Sequence, residues 1–150
     1  MSEVTALIDR YIDMWNETDA ARRAALVAAI WTENALYLDP VLRGDGRDGI
    51  HAMVGQVHER FPGHRFRRTS DVDTHNDRVR FGWALAPADG PPVVQGVDFA
   101  AIADGRLAAV TGFFDSVAPA SCAGAGRSGR VACGRPGRRM PGVVATDFDS

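Results

Sequence analysis

The 150-residue chain has no lysine; all 17 of its basic residues are arginine. Without a lysine amine there is no Schiff-base, pyridoxal-phosphate or P-loop chemistry. Cysteine is nearly as scarce. Cys122 and Cys133 both lie in the last quarter, so they can neither staple the preceding residues nor complete a four-ligand zinc site by themselves. No apolar run approaches the ~20 residues of a bilayer span. The start, Met1-Ser2-Glu3-Val4, lacks the basic and apolar stretches of a signal peptide. The expectation is a reducing, cytoplasmic setting with no membrane. A net charge of −2 is not that of a chain built for nucleic acid, which is not an expected partner. Neither a Gly-x-Ser-x-Gly elbow nor a dinucleotide fingerprint occurs. His51 and His58 are two helical turns apart rather than at i and i+4, so neither a metal nor any other cofactor is expected.

What remains reads as one domain with an extension. Hydrophobic residues make up 45% and charged residues 24%, ordinary for a globular chain able to bury a core. Residues 1–116 hold almost all the aromatic and branched apolar residues, with 12 arginines against 17 carboxylates. Residues 117–150 are rich in Gly, Ala, Arg and Pro and carry five arginines against two carboxylates. Such a segment has too little apolar bulk to offset its ordering entropy, and a disordered tail is expected there.

Apolar periodicity organises the domain. Val4, Leu7, Ile8, Tyr11, Ile12 and Trp15 form one stripe of a 3.6-residue period, predicting a first helix. Asp19 is placed to cap a second, which presents Leu26, Val27, Ile30 and Trp31. A short strand, Ala35 to Asp39, is stopped by Pro40 and sets Tyr37 and Asp39 on one side. The loop Arg43-Gly44-Asp45-Gly46 leads into a third helix bearing Ile50, Met53, Val54, Val57 and Phe61, which Pro62-Gly63 ends. From there the period is two. Strands are expected near 65–75, over Val79–Leu85, over Val93–Ala103 and over Leu107–Ser116, joined by turns at His75-Asn76-Asp77, Asp89-Gly90-Pro91 and Asp104-Gly105. The order α-α-β-α-β-β-β-β is that of an α+β domain: an antiparallel meander curved into a cone, with helices on one face and room inside for a ligand.

Three residues could carry chemistry in that interior. Asp98 lies among apolar neighbours in a central strand, where a carboxylate resists ionising. It would be a protonated acid donating to a developing oxyanion, or a structural group paired with Arg80. Asp39 ends a strand at the rim or wall of the cone. It could shuttle a proton to and from carbon, or simply form an Asp-Pro turn. Tyr11 sits on the inner stripe of the first helix, as a donor into the cavity or as core filler. Two carboxyls in unlike environments are the pattern that separates acid from base. Trp31, Phe61, Trp83, Phe99, Phe113 and Phe114 are the expected apolar walls.

Several segments occurring in order carry a resemblance over residues 3–116. They are Arg10-Tyr11-Ile12, Leu38-Asp39-Pro40, Gly46-Arg47-Asp48-Gly49-Ile50, Asp104-Gly105-Arg106-Leu107 and Thr111-Gly112-Phe113-Phe114-Asp115. The chain resembles the SnoaL-like, NTF2-like superfamily of cystatin-like cones. The resemblance implies a curved, mainly antiparallel sheet with three helices on its concave face, a small hydrophobic ligand and a homodimer. In mechanism it is most similar to the ketosteroid isomerases. That likeness implies Asp39 as the base and Tyr11 and a protonated Asp98 as the oxyanion hole, isomerising a polyketide-like or steroid-like ketone through an enolate. The family's accessory tyrosines fall here at Trp31 and Val54. SnoaL-type polyketide cyclases and non-catalytic binding or dimerisation modules share the fold. Limonene-epoxide-hydrolase-like relatives need an arginine two residues before the strand aspartate, where this chain has Gly96.

Overall fold

The computed structural model describes residues 3–118. The tail expected over 117–150 lies, beyond Ala118, outside the described residues. The elements are α1 (Glu3–Asn16), α2 (Ala20–Ile30), β1 (Trp31–Leu38), β2 (Arg43–Asp45), α3 (Gly46–Arg60), β3 (His64–Arg68), β4 (Asp73–His75), β5 (Arg78–Pro87), β6 (Val94–Ala103) and β7 (Arg106–Val117). The architecture is the expected α+β cone: a curved sheet with the helices packed on one side.

The helices form where the apolar stripes fall. α1 buries Leu7, Ile8, Tyr11, Met14 and Trp15. Asp19 caps α2 as expected, its side chain accepting from the Arg22 amide at 2.9 Å. α3 turns Ile50, Met53, Val54 and Val57 inward. Polar groups then lock α1 onto the sheet. The Asn16 side chain mimics a strand edge, donating to the Phe66 carbonyl at 2.9 Å and accepting from the Phe66 amide at 2.7 Å. The buried Arg23 donates to the Glu17 carbonyl at 2.9 Å, and His58 Nε2 meets the Trp15 carbonyl at 2.6 Å. His58 thereby serves a carbonyl in the last turn of α1, which a helix leaves without an internal partner, and Arg23 serves one just beyond it. His58, in the last turn of α3, thus also attends the end of α1.

The sheet runs β2-β1-β7-β6-β5-β3, with β4 also pairing β5. β5, β6 and β7 make the predicted antiparallel run. The β6–β7 turn has Asp104 at φ 53° and Gly105 at φ 74°, the two left-handed residues that a two-residue hairpin requires. Register shifts between Gln95 and Gly96 and between Ala101 and Ile102 mark irregularities in the β6–β7 ladder. Such bulges bend a strand and increase its twist, which helps curve a sheet.

Four local expectations are corrected. Trp31 opens β1 instead of closing α2, because its indole fills the core and donates to Met14 Sδ at 3.1 Å. The loop at 43–45 is strand β2, paired to β1 through Leu36–Asp45 and Leu38–Arg43. The strand expected near 65–75 is two short strands, both paired to β5. The sheet is also not a pure meander, since β1 joins β7 in parallel.

Candidate active site

The parallel pairing builds the site. Leu38 lies opposite Thr111 across β1–β7, so Asp39 follows beside Gly112. Across β6–β7, Gly112 lies opposite Asp98. Two carboxyls from distant parts of the chain therefore flank one glycine. A Cβ on Gly112 would stand 2.7 Å from Asp98 Oδ1, 3.3 Å from Asp39 Cβ and 3.4 Å from the Tyr37 hydroxyl. Only a residue without a side chain leaves that gap open. Gly112→Ala is expected to cost about 1–3 kcal/mol of stability through overpacking. It should also weaken binding of a phenol at the carboxyls. Urea unfolding and calorimetry measure the two effects, and unchanged values would refute the crowding.

Asp98 is 3% exposed. Its Oδ2 accepts from the Tyr11 hydroxyl at 2.8 Å and its Oδ1 from Trp83 Nε1 at 2.8 Å. Burial pushes its carboxyl up to about 7; the Tyr11 and Trp83 donors oppose the rise, and the nearby charge of Asp39 adds to it. The alternative partner, Arg80, points the other way. It pairs with Asp73 at 2.7 Å on the exposed side of β5.

Asp39 is less enclosed and more heavily hydrogen-bonded. Its Oδ1 accepts from the amides of Val41 and Leu42 at 2.8 and 2.7 Å, and its Oδ2 from the Tyr37 hydroxyl at 2.7 Å. Burial raises its carboxyl above the ordinary range, and these three donors hold the rise back. Asp39 thus forms the expected turn through Oδ1 and also lines a cavity. Burial raises the phenols of Tyr11 and Tyr37 well above 10, so both are hydrogen-bond donors at neutral pH.

All three expected residues, Tyr11, Asp39 and Asp98, line one cavity of about 180 Å³. Its walls include Trp15, Phe61, Phe66, Trp83, Leu85 and Phe114. Three residues expected as walls lie outside it: Trp31 is buried in the core, and the others are Phe99 and Phe113. Those two phenylalanines stack edge-on at 5.8 Å and remain 43% and 53% exposed. Trp31, one of the two residues standing where accessory tyrosines were expected, packs edge-on against Tyr11 at 5.8 Å. Gly96 lies under Trp83; a Cβ there would come within 2.7 Å of the indole Cζ2, which leaves no room for an arginine. Two polar members of the site go beyond what sequence reasoning assigns them: Tyr37, expected only as a strand residue, and Trp83, expected only as a wall. The signal for Tyr37 was its shared side with Asp39. For Trp83 it was its place among the inward residues of β5.

Residues 8–110 match the SnoaL-like domain family. A solved structure from Agrobacterium tumefaciens str. C58, described as an isomerase of the SnoaL-like family, is 38% identical; the match covers 77% of this chain and 100% of that one, with a TM-score of 0.74. A protein from Kribbella flavida DSM 17836 described as a ketosteroid isomerase is 24% identical, with 77% and 79% covered and a TM-score of 0.56. One from Sinorhizobium meliloti described as a polyketide cyclase is 14% identical, with 75% and 99% covered and a TM-score of 0.58. At these last two identities the likeness shows the fold alone. Among curated proteins none matches. On the family match, carried by the cone, the chain belongs to the SnoaL-like domain family.

Proposed function

We propose that the protein catalyses cofactor-free proton transfer on a small hydrophobic ketone, through an enolate. The observation that carries this reading is a pair of unlike carboxyls on either side of Gly112 in one apolar cavity. Asp39, ionised and oriented by three donors, takes a proton from the carbon α to the carbonyl. The electrons of that C–H bond move onto the carbonyl oxygen and the enolate forms. Tyr11 turns its hydroxyl from Asp98 to that oxygen, and Asp98 in its neutral form supplies a second donor. Asp39 then returns the proton at the γ carbon, so the double bond moves into conjugation and no atom is gained or lost. Trp83 holds Asp98 in place from the other side. A polyketide-like or steroid-like substrate presents one ring at a time, because about 180 Å³ is below the ~300–1,000 Å³ of pockets for larger ligands.

The test is an absorbance assay for conversion of a β,γ-unsaturated cyclic ketone to its conjugated isomer. Turnover by the wild type that falls by about 10²–10³ in Tyr11→Phe is the expected result, the usual effect of removing one oxyanion donor. Absence of turnover in the wild type across monocyclic and polycyclic ketones would reject the reading. A second reading is a non-catalytic binding module. It draws support from the same three donors on Asp39, which hold back the rise in basicity that burial gives it.

A further inference from the structure

Arg60 ends α3 and lines the same cavity, where Asp39 and Asp98 are the other charged residues. Its side chain is exposed, which puts it at the rim, whereas Asp98 and Tyr11 are buried at the floor. The arginines that make ion pairs among the described residues all do so outside this cavity: Arg43 with Asp45, Arg68 with Asp9, Arg78 with Asp77 and Arg80 with Asp73. Arg60 has no carboxylate partner among the described residues. Around it the rim is apolar, with Val41 49% exposed and Phe61, Val94 and Val117 alongside.

We propose that the ligand of this cavity is a one-ring oxo acid, its carbonyl at the floor against Tyr11 and Asp98 and its carboxylate at the rim against Arg60. The proposal rests on the ketone-pocket reading above and adds the anionic group. The size follows from the volume: about 180 Å³ is close to that of a ~150 Å³ cavity that admits a single benzene ring. The charge follows from the guanidinium, whose fork of donors matches a carboxylate. The polarity of the ligand follows from the arrangement. A carboxylate at the floor would meet two acidic residues, whereas at the rim it meets a cation with no competing partner. The last turn of α3 is also a place where a cation suits the helix dipole. That role alone would affect stability without discriminating between ligands.

The probes are 3-(4-hydroxyphenyl)propanoate and its primary amide, which share a shape and a phenol that mimics the enolate oxygen but differ in charge. Calorimetry gives their Kd values for the wild type, Arg60→Gln and Arg60→Glu. The wild type is expected to bind the acid roughly tenfold tighter than the amide, the scale of one charge-assisted hydrogen-bonded pair. The preference should shrink as salt is raised. It should vanish in Arg60→Gln and reverse in Arg60→Glu, while the amide binds all three alike and so reports an intact pocket. Equal binding of acid and amide by the wild type, or a preference that survives Arg60→Gln, overturns the anionic group and leaves the ketone pocket standing. If neither probe binds the wild type, the pocket reading falls and this inference falls with it.

Discussion

Asp39→Asn is expected to lower turnover by about 10²–10⁴, the usual contribution of a positioned general base, while the Kd of a phenolic enolate mimic stays unchanged. The substitution is conservative for a structural reason. The amide oxygen can go on accepting from Val41 and Leu42, preserving the turn that follows β1. The amide nitrogen takes the place of Oδ2, and the Tyr37 hydroxyl, now a donor to it, can rotate to accept instead. What disappears is the basic lone pair. A thermal melt close to that of the wild type would confirm that the loss is chemical. Turnover equal to the wild type would remove Asp39 from the base role, and loss of mimic binding along with turnover would point to a positional role.

The second large effect is on stability. Asp98 has a carboxyl raised to about 7 in the folded protein, against an ordinary value near 3.9 when unfolded. Below about pH 4 it is protonated in both states. Between about pH 4 and 7 the folded protein holds a proton that the unfolded chain releases, so stability falls as pH rises and levels off above about 7. The fall is on the order of 4 kcal/mol. Asp39, raised in the same direction, adds to it with the same sign. Asp98→Asn removes the titration and keeps partners: its oxygen can accept from Trp83 and its amide can donate to the Tyr11 hydroxyl. Urea unfolding from pH 4 to 8 should show the wild type losing stability relative to the variant. Parallel curves would mean that Asp98 is ionised throughout.

Much of this was legible in the residues, for identifiable reasons. The stripe from Val4 to Trp15 put Tyr11 on the buried side of α1, and an Asp embedded in an apolar strand marked Asp98 as buried. Strand parity placed Arg80 opposite to Asp98 only once the β5–β6 register was known, with Arg80 beside Phe99 and Phe81 beside Asp98. Trp31 reads as part of α2 because the apolar run continues past Ile30 without a breaker. β2 is three residues with a central glycine, so pairing rather than propensity makes it a strand. The decisive omission was the parallel β1–β7 pairing. No local pattern announces which distant strand lies beside Asp39, and the shared cavity depends on that contact.

That pairing has a consequence for how the site comes into being. β7 contributes no titratable group to the cavity, yet it sits between β1 and β6 and holds Asp39 and Asp98 on either side of Gly112. Contacts between strands so far apart in sequence carry an entropic cost, because the chain between them must be closed into a loop. A nascent chain that has made β1 and β6 can already give Asp39 its turn donors from Val41 and Leu42, but nothing sets it beside Asp98. The two carboxyls come to flank one glycine when the last strand docks, and that pairing is a property of the closed sheet that neither residue has alone.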